Sequence, residues 1–130
     1  MTMSTSLPVC PFCCLENLEI IESSPNFFVV YDKTPVTPGH CLIIPFRHFA
    51  DAFELSFDEL TEAWELVRKL RRKLKTDDAA ITGFNLGFNS GVDAGQTVFH
   101  VHIHLIPRRH GDVEKPRGGV RGVIPSRQNY

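Results

Sequence analysis

The segment from residue 99 to residue 106 constrains the fold more than any other part of the chain, because apolar residues and histidines alternate along it (F-H-V-H-I-H-L-I). Successive side chains of a β-strand point to opposite faces of a sheet, so the alternation predicts a strand. Its core-facing side is predicted to consist of Phe99, Val101, Ile103 and Leu105. The opposite face would carry His100, His102 and His104, about 7 Å apart. Three histidines on one face are hard to explain by packing, so the segment indicates a functional site.

Two kinds of chemistry use histidines in this arrangement. Imidazole is a common zinc ligand, and neutral imidazole is also an effective nucleophile that titrates near neutral pH. The preceding loop favours the second use, because residues 89–91 (N-S-G) and 95–97 (G-Q-T) supply amide, hydroxyl and backbone N–H groups. Such donors bind phosphate oxygens. The pattern therefore predicts a phosphate site with a histidine nucleophile, and a zinc site on the three histidines is the alternative.

The remaining sequence predicts one α+β domain. Residues 56–75 are predicted to form a helix, since Ser56 and Glu59 fit a capping box. Apolar residues then recur at helical spacing and are predicted to face the core: Leu60, Trp64, Val67, Leu70 and Leu74. Strand candidates are residues 19–23, 27–33, 40–45, 81–89 and 99–107. Strands on both sides of a single long helix indicate a five-stranded antiparallel sheet with the helix packed on one face.

Length and charge narrow the class of protein. A chain of 130 residues fits a single domain, 1–130, and its net charge of −1 does not indicate a nucleic acid polymer as partner. Residues 1–8 are predicted to be loosely ordered. Residues 108–130 carry six basic and two acidic side chains, a net charge of +4, and form a basic C-terminal tail. With no membrane-length apolar run, no apolar leader and a poor disulfide framework, we expect a cytoplasmic protein that does not enter membranes.

Residues 95–108, G-Q-T-V-F-H-V-H-I-H-L-I-P-R, resemble the signature of the histidine-triad (HIT) family, whose core is His-apolar-His-apolar-His-apolar-apolar. The stretch from Asp32 to His40, with its prolines, and the strand ending in P-F-R-H at residues 45–48 are similar to the first half of that family. The resemblance covers residues 10–110. The tail is similar to a microbial branch often labelled diadenosine-tetraphosphate-hydrolase-like.

This resemblance implies a nucleotide hydrolase or nucleotidyl transferase that forms a nucleotidyl-histidine intermediate and needs no cofactor for the chemistry. His102 would attack the α-phosphorus while its other ring nitrogen bonds a backbone carbonyl, and His104 would contact the phosphate. His40 matches a buried histidine of the family whose role is open. The substrate-binding positions that the resemblance implies are Asp32, Asn89, Gly95, Gln96 and Thr97. Asp32 would bind the ribose hydroxyls, and the alternative is a turn residue at a strand end.

The substrate classes implied are a nucleoside phosphoramidate, a dinucleoside polyphosphate or an acyl-adenylate. The alternative is a nucleotide-binding interaction protein with incidental hydrolysis. The resemblance also implies a homodimer whose sheets continue across the two-fold axis. We expect part of the basic tail to reach a polyphosphate; the alternatives are a crossing to the partner subunit or a solvated end. The residues concerned are Arg108, Arg109, Lys115, Arg117 and Arg121.

Some relatives, including galactose-1-phosphate uridylyltransferases, are similar at the N-terminal cysteines and bind structural zinc. They use two cysteines, a mid-chain histidine and the first triad histidine, and the matching residues here are Cys10, Cys13, His48 and His100. Such a zinc ion is expected to be structural and distant from the chemical step. Cys14 could replace Cys13 as a ligand. The same segment, with Phe12 and Leu15, could instead line a purine pocket, and the two roles are compatible.

Overall fold

A computed structural model describes residues 10–130; the prediction for residues 1–8 lies outside them. The regular elements are β1 (Glu22–Ser23), β2 (Phe27–Tyr31), β3 (Cys41–Pro45), α1 (Phe57–Asp77), β4 (Ile81–Gly87) and β5 (Ile103–Arg109). Five short 3-10 helices lie between and after them, at Leu15–Asn17, Ala52–Glu54, Val92–Ala94, Gly119–Val123 and Pro125–Arg127. Among the described residues, no helix combines the length and the apolar character that crossing a bilayer requires.

The strands form one five-stranded sheet in the order β1-β2-β3-β5-β4, with every neighbouring pair antiparallel. This confirms the predicted fold class. The last strand lies inside the sheet, between β3 and β4. Its pairing with β3 is short and covers three positions, from Cys41 opposite Leu105 to Ile43 opposite Ile103. Leu42 lies opposite His104 in this register, which puts that histidine on the face of the sheet away from the helix.

Each face of the sheet has its own apolar cluster. Alternate residues of the strands pack with α1 on one face, among them Phe27, Val29, Cys41, Ile43, Ile103 and Leu105. The intervening residues Phe28, Val30, Leu42 and Ile44 form a second cluster, against which Phe12 and Leu18 pack. The N-terminal segment therefore covers the face of the sheet that carries His104.

Helix α1 begins at the predicted capping box, in which Ser56 accepts from the Glu59 N–H and the Glu59 carboxylate accepts from the Ser56 N–H. The predicted core stripe is only partly right. Val67, Leu70 and Leu74 are buried, together with Ala63 and Leu66, which the prediction missed. Leu60 and Trp64 are each 52% exposed. The packed face runs through Ala63, Leu66 and Leu70, so Trp64 lies beside it, and Leu60 lies one turn before it begins.

The predicted histidine strand is wrong at its start, because β5 begins at Ile103 rather than at residue 99. Val101, Ile103 and Leu105 are buried as predicted, but Phe99 is 47% exposed. His100 is fully buried rather than presented on an open face. The pairing with β3 stops at Ile43 and Ile103 although β3 continues to Pro45, and the Val101 N–H bonds the Phe49 carbonyl instead of a strand.

Candidate functional site

The orientation of His102 is set by the backbone two residues earlier. Its Nδ1 atom lies 2.8 Å from the carbonyl oxygen of His100 and donates to it. This hydrogen bond is the one that the family resemblance implied. A neutral imidazole that donates from Nδ1 keeps its lone pair on Nε2. In its neutral form His102 therefore presents a lone pair on Nε2, which is what a nucleophile needs.

His104 stands beside His102, with ring centroids 5.1 Å apart, and its tautomer follows from two further contacts. The Val36 N–H donates to Nδ1 of His40 at 3.0 Å, which leaves the His40 proton on Nε2. That Nε2 atom lies 2.9 Å from His104 Nδ1 and donates to it. The His104 proton is then on Nε2, a buried atom that has no partner among the described residues. It is a hydrogen-bond donor ready for a ligand.

The electrostatics of this pair favour neutral rings. Burial, with the neighbouring charges of His102 and His40, lowers the pKa of His104 to about 4. Burial also lowers the pKa of His40, although the carboxylate of Asp32 opposes the shift. The Oδ2 atom of Asp32 lies 3.5 Å from Nε2 of His40. Near neutral pH the site therefore offers an N–H donor on His104 without a net positive charge.

One cavity of about 600 Å³ is lined by candidate residues from the strands and from the loop that precedes β5. Its wall includes Asp32, His40, Asn89 and His104, all of which the sequence analysis had singled out. The segment after β5 contributes Gly119, Val120, Gly122 and Val123 to the wall. The structure thus brings the candidate ribose, phosphate and donor residues into one space.

The other predicted loop residues are not part of that wall. Gln96 is buried, and its side chain accepts from the Gly91 N–H at 2.9 Å and donates to the carbonyls of Ala50 and Val98. Gly95 has φ +94°, a left-handed conformation that suits glycine. Thr97 is exposed. In the structure Gln96 holds the loop together, so its contact with phosphate stays a prediction.

A second cavity of about 720 Å³, with a largely apolar lining, shares a wall residue with the first. Its apolar lining comes from the N-terminal segment and from the sheet, and comprises Pro11, Phe12, Leu18, Val30, Leu42 and Val98. Asp32 lines both cavities. Of the two residues considered for a purine pocket, Phe12 lines this cavity and Leu15 does not. The sequence did not indicate that Leu18, Val30 and Leu42 line a cavity, because the apolar pattern of a cavity wall is the same as that of a core element.

The predicted metal ligands form a cluster at the other end of the site. The ligand atoms of Cys10, Cys13, His48 and His100 all lie within 4.8 Å of one another. Cys10 Sγ is 3.4 Å from His100 Nδ1, and Cys13 Sγ is 3.3 Å from His48 Nδ1. The two Nδ1 atoms are 3.1 Å apart. Cys14 does not belong to this cluster, so the structure favours Cys13.

The spacing and protonation of the cluster fit a tetrahedral zinc ion. Bonds of about 2.3 Å to sulfur and about 2.0–2.1 Å to nitrogen place neighbouring ligand atoms about 3.3–3.8 Å apart. His100 donates from Nε2 to the carbonyl of Pro45 at 2.7 Å, which leaves Nδ1 free to coordinate. Burial and the neighbouring Cys10 raise the pKa of the Cys13 thiol. A divalent cation supplies the charge that lets such thiols ionise.

Of the basic tail residues considered for a polyphosphate contact, Arg108 lines the cavity of His104, and Arg109, Lys115, Arg117 and Arg121 do not. Arg108 forms a two-pronged ion pair with Asp112, and Arg109 bonds Asp78. The guanidinium groups of Arg117 and Arg121 lie over the Tyr130 ring, 4.5 and 4.7 Å from its centroid. Contact between these arginines and a polyphosphate stays a prediction.

Comparison with known proteins defines the class to which this fold and site belong. Residues 17–111 match the family described as HIT domain, and the chain therefore belongs to the HIT family. It is 36% identical over 97 residues to the bifunctional bis(5'-adenosyl)-triphosphatase/adenylylsulfatase FHIT of Arabidopsis thaliana, a match covering 75% of this chain and 53% of the relative. It is 44% identical over 78 residues to the asymmetrical bis(5'-nucleosyl)-tetraphosphatase of Schizosaccharomyces pombe, covering 60% and 42%.

These matches span about half the length of the two curated relatives. Among solved structures, a zinc-bound histidine-triad protein from Mycobacterium smegmatis is similar, with a TM-score of 0.72 and 32% identity. The match covers 79% of this chain and 77% of that one. The likeness therefore extends over most of both chains and agrees with the antiparallel fold described above.

Proposed function

We propose that this protein is a nucleotide hydrolase or nucleotidyl transferase in which Nε2 of His102 attacks the α-phosphorus of its substrate. A nitrogen–phosphorus bond forms, and the bond from phosphorus to the leaving oxygen or nitrogen breaks. Water or another acceptor then attacks the phosphorus and releases the histidine. The observation that carries this proposal is the 2.8 Å hydrogen bond from His102 Nδ1 to the His100 carbonyl, because it leaves Nε2 unprotonated.

His104 would stabilise the phosphate in this reaction by hydrogen bonding. Its Nε2–H is buried and has no partner among the described residues, so a phosphate oxygen or the leaving group would satisfy it. A buried donor without a partner costs about 1–3 kcal/mol, and ligand binding recovers that cost. Donors placed before the reaction begins also need no rearrangement as charge develops on phosphorus.

The two adjoining cavities favour a substrate with a flat apolar group and an anionic group. The Phe12 side of the site suits a nucleobase, and the His104 side suits phosphate. Asp32 lies in the walls of both, where its carboxylate would accept from ribose hydroxyls. The names of the two curated relatives point to dinucleoside polyphosphates. We therefore place this class first, ahead of nucleoside phosphoramidates and acyl-adenylates.

Steady-state kinetics test this proposal directly. The panel is adenosine phosphoramidate, diadenosine triphosphate and diadenosine tetraphosphate, each with wild-type protein and with His102→Ala. We expect turnover by the wild type and an adenylylated His102 when the reaction is stopped in base and analysed by mass spectrometry. Nucleotide binding without turnover of any substrate would instead support the interaction protein considered above.

We further propose that Cys10, Cys13, His48 and His100 hold a structural zinc ion. The tetrahedral spacing of their ligand atoms supports this assignment, as does the zinc-bound relative from Mycobacterium smegmatis. The ion would join the N-terminal segment to the sheet and would take no part in bond breaking. Elemental analysis of protein purified without chelator should give one zinc per chain, and metal-free protein of full stability would contradict the site.

A homodimer is the third part of the proposal. β4 is an edge strand in the sheet of the described residues, and an unpaired edge favours strand pairing between chains. Exposed apolar residues lie at the start of α1, including Phe57, Leu60 and Trp64, and a partner subunit would cover them. Light scattering at micromolar concentration should give twice the chain mass. A monomer mass would contradict this part alone.

A further inference from the structure

His100 contacts two parts of the site. Its side chain is part of the cysteine–histidine cluster, and its backbone carbonyl bonds the ring of His102. The ring of His100 is fully buried, with Nδ1 facing the sulfur atoms of Cys10 and Cys13 at 3.4 and 3.6 Å. Its carbonyl oxygen accepts the proton of His102 Nδ1 at 2.8 Å. We infer that the cluster is a positioning element for His102, so that metal occupancy controls how well the site binds a nucleotide.

His102 needs such a positioning element because the pairing between β3 and β5 is short and does not include it. The ladder between β3 and β5 ends where Ile43 pairs with Ile103, and the nucleophile comes before that point. Residues 98–102 lie outside any strand. Their backbone is attached to the rest of the fold by the bond from the Val101 N–H to the Phe49 carbonyl at 2.8 Å and, at Val98, by the Gln96 side chain. The ring of His100, held between Pro45 and the cluster, supplies a further attachment next to His102.

Phe12 is a second connection between the cluster and the substrate site, because it contacts His102 and lines the base cavity. It lies in the turn between the two cysteines, which is closed by a bond from the Cys13 N–H to the Cys10 carbonyl at 3.1 Å. The Phe12 ring meets the His102 ring edge to face, with centroids 5.2 Å apart. The same ring lines the apolar cavity. A metal ion that fixes both cysteines therefore fixes a wall of the base pocket and one side of the nucleophile.

The consequence is a thermodynamic coupling between metal and nucleotide, which rests on the proposed zinc site and nucleotide site. If zinc orders His102 and Phe12, then nucleotide binds more tightly to the zinc-loaded protein. Linkage requires that nucleotide tighten zinc binding by the same factor. A zinc ion that only ties the N-terminal segment to the sheet would change melting temperature and leave both affinities independent.

The experiment measures this coupling in both directions with AMP as the probe. AMP affinity is determined by calorimetry on zinc-loaded and zinc-free protein, under conditions where circular dichroism shows both to be folded. Zinc affinity is determined by chelator competition with and without saturating AMP. We expect the two ratios to agree and to reach about fivefold or more, the lower end of typical coupling between sites. Ratios near one in both directions overturn the inference.

A matched pair of variants assigns the effect to the cluster. Cys13→Ser removes a ligand and should lose both zinc and the coupling. Cys14→Ser changes a thiol that lines the base cavity but lies outside the cluster, so it controls for the cavity wall and should keep both zinc and the ratio of AMP affinities with and without zinc. Nitrogen-15 NMR of the His102 ring reports its tautomer, which would not depend on zinc if the ion only joined the N-terminal segment to the sheet. The Nδ1–H tautomer should be uniform with zinc and mixed without it, and a uniform tautomer in zinc-free folded protein contradicts the mechanism.

Two outcomes separate this inference from the proposals beneath it. If the zinc-loaded protein does not bind AMP, the nucleotide function fails, and the tautomer of His102 with and without zinc still tests the positioning role. If zinc-free protein unfolds, the metal is replaced by Co²⁺ in folded protein. AMP should then shift the visible absorption of the cobalt ion, and an unchanged spectrum at saturating AMP overturns the coupling.

Discussion

The Nε2 atom of His40 lies 2.9 Å from the Nδ1 atom of His104, and this contact decides which nitrogen of His104 faces the ligand. The Val36 N–H holds His40 in the tautomer that can donate. His40 is therefore a positioning residue, buried behind a residue that would touch the substrate. Its family role was open from the sequence, and the geometry supplies one.

Replacing His40 with alanine should lower kcat about 10- to 100-fold, which corresponds to about 1.4–2.7 kcal/mol of barrier. Without its donor, His104 can move its proton to Nδ1 and present a lone pair to the phosphate. His40→Gln should recover part of kcat, because its amide N–H can reach nearly the same position as Nε2. Kinetics are expressed per folded molecule, since the alanine variant also leaves the Val36 N–H unpaired. Equal losses in both variants would contradict the positioning role.

Replacing His102 with alanine should abolish formation of the nucleotidyl-histidine and cost about a thousandfold or more in turnover, about 4 kcal/mol. The side chain is half-buried and its ring donates a single hydrogen bond, to a backbone carbonyl. The melting temperature should therefore change little. Turnover within about tenfold of the wild type, or about 1.4 kcal/mol, would remove His102 from the chemical step.

Stability should fall as the pH drops from about 6.5 to about 4, and His104 should contribute to the fall. Its pKa is lowered from 6.5 to about 4 by burial, so in this window the unfolded chain binds more protons than the folded one. The contribution is complete above the unfolded pKa and is lost as the pH falls through about 4. His104→Gln should show a shallower loss of unfolding free energy in denaturant titrations across this range. Identical slopes for the two proteins would contradict the shift.

Gly118→Ala should release the tail from the His104 cavity without changing any charge. Gly118 has φ +91°, and an added Cβ would overlap the Gln128 carbonyl oxygen. Gly111→Ala is the matched control, since Gly111 has φ +83° but open space around the missing Cβ. We expect Gly118→Ala to raise KM for diadenosine tetraphosphate several-fold more than the control does. Equal KM values in the two variants would place the tail outside the substrate site.

The fold class could be predicted, and the candidate site residues could be named, because their signals are local. The alternation around His102 specifies extended backbone with two different faces, and Ser56 with Glu59 marks the start of α1. The pairing of Cys10 and Cys13 with His48 and His100 came from resemblance and lies together in space as expected. Ligand spacing of this kind survives in the sequence because zinc accepts few arrangements.

Features that depend on distant parts of the chain could not be predicted. Phe99 continues the alternation but is exposed, because the chain leaves the β3 pairing before Ile103 and residues 98–102 lie outside any strand. Trp64 has helical spacing with the core stripe, yet it is 52% exposed because it lies beside the face of α1 that packs on the sheet. The expectation that a zinc ion would be distant from the chemical step stays a prediction, and the structure adds that His100 joins the cysteine–histidine cluster to His102. No pattern in the sequence indicates that the ring of His100 faces the cysteines while its carbonyl bonds His102.

The position of β5 between β3 and β4 has a consequence for how the chain folds during synthesis. The last strand to be made is the one that joins the two halves of the sheet, so β3 and β4 each keep an open edge until residues 103–109 are available. Contacts between residues far apart in sequence form late and slowly. The nascent chain is then prone to aggregate until His102 and His104 have emerged, so that completing the sheet and assembling the candidate site are one event.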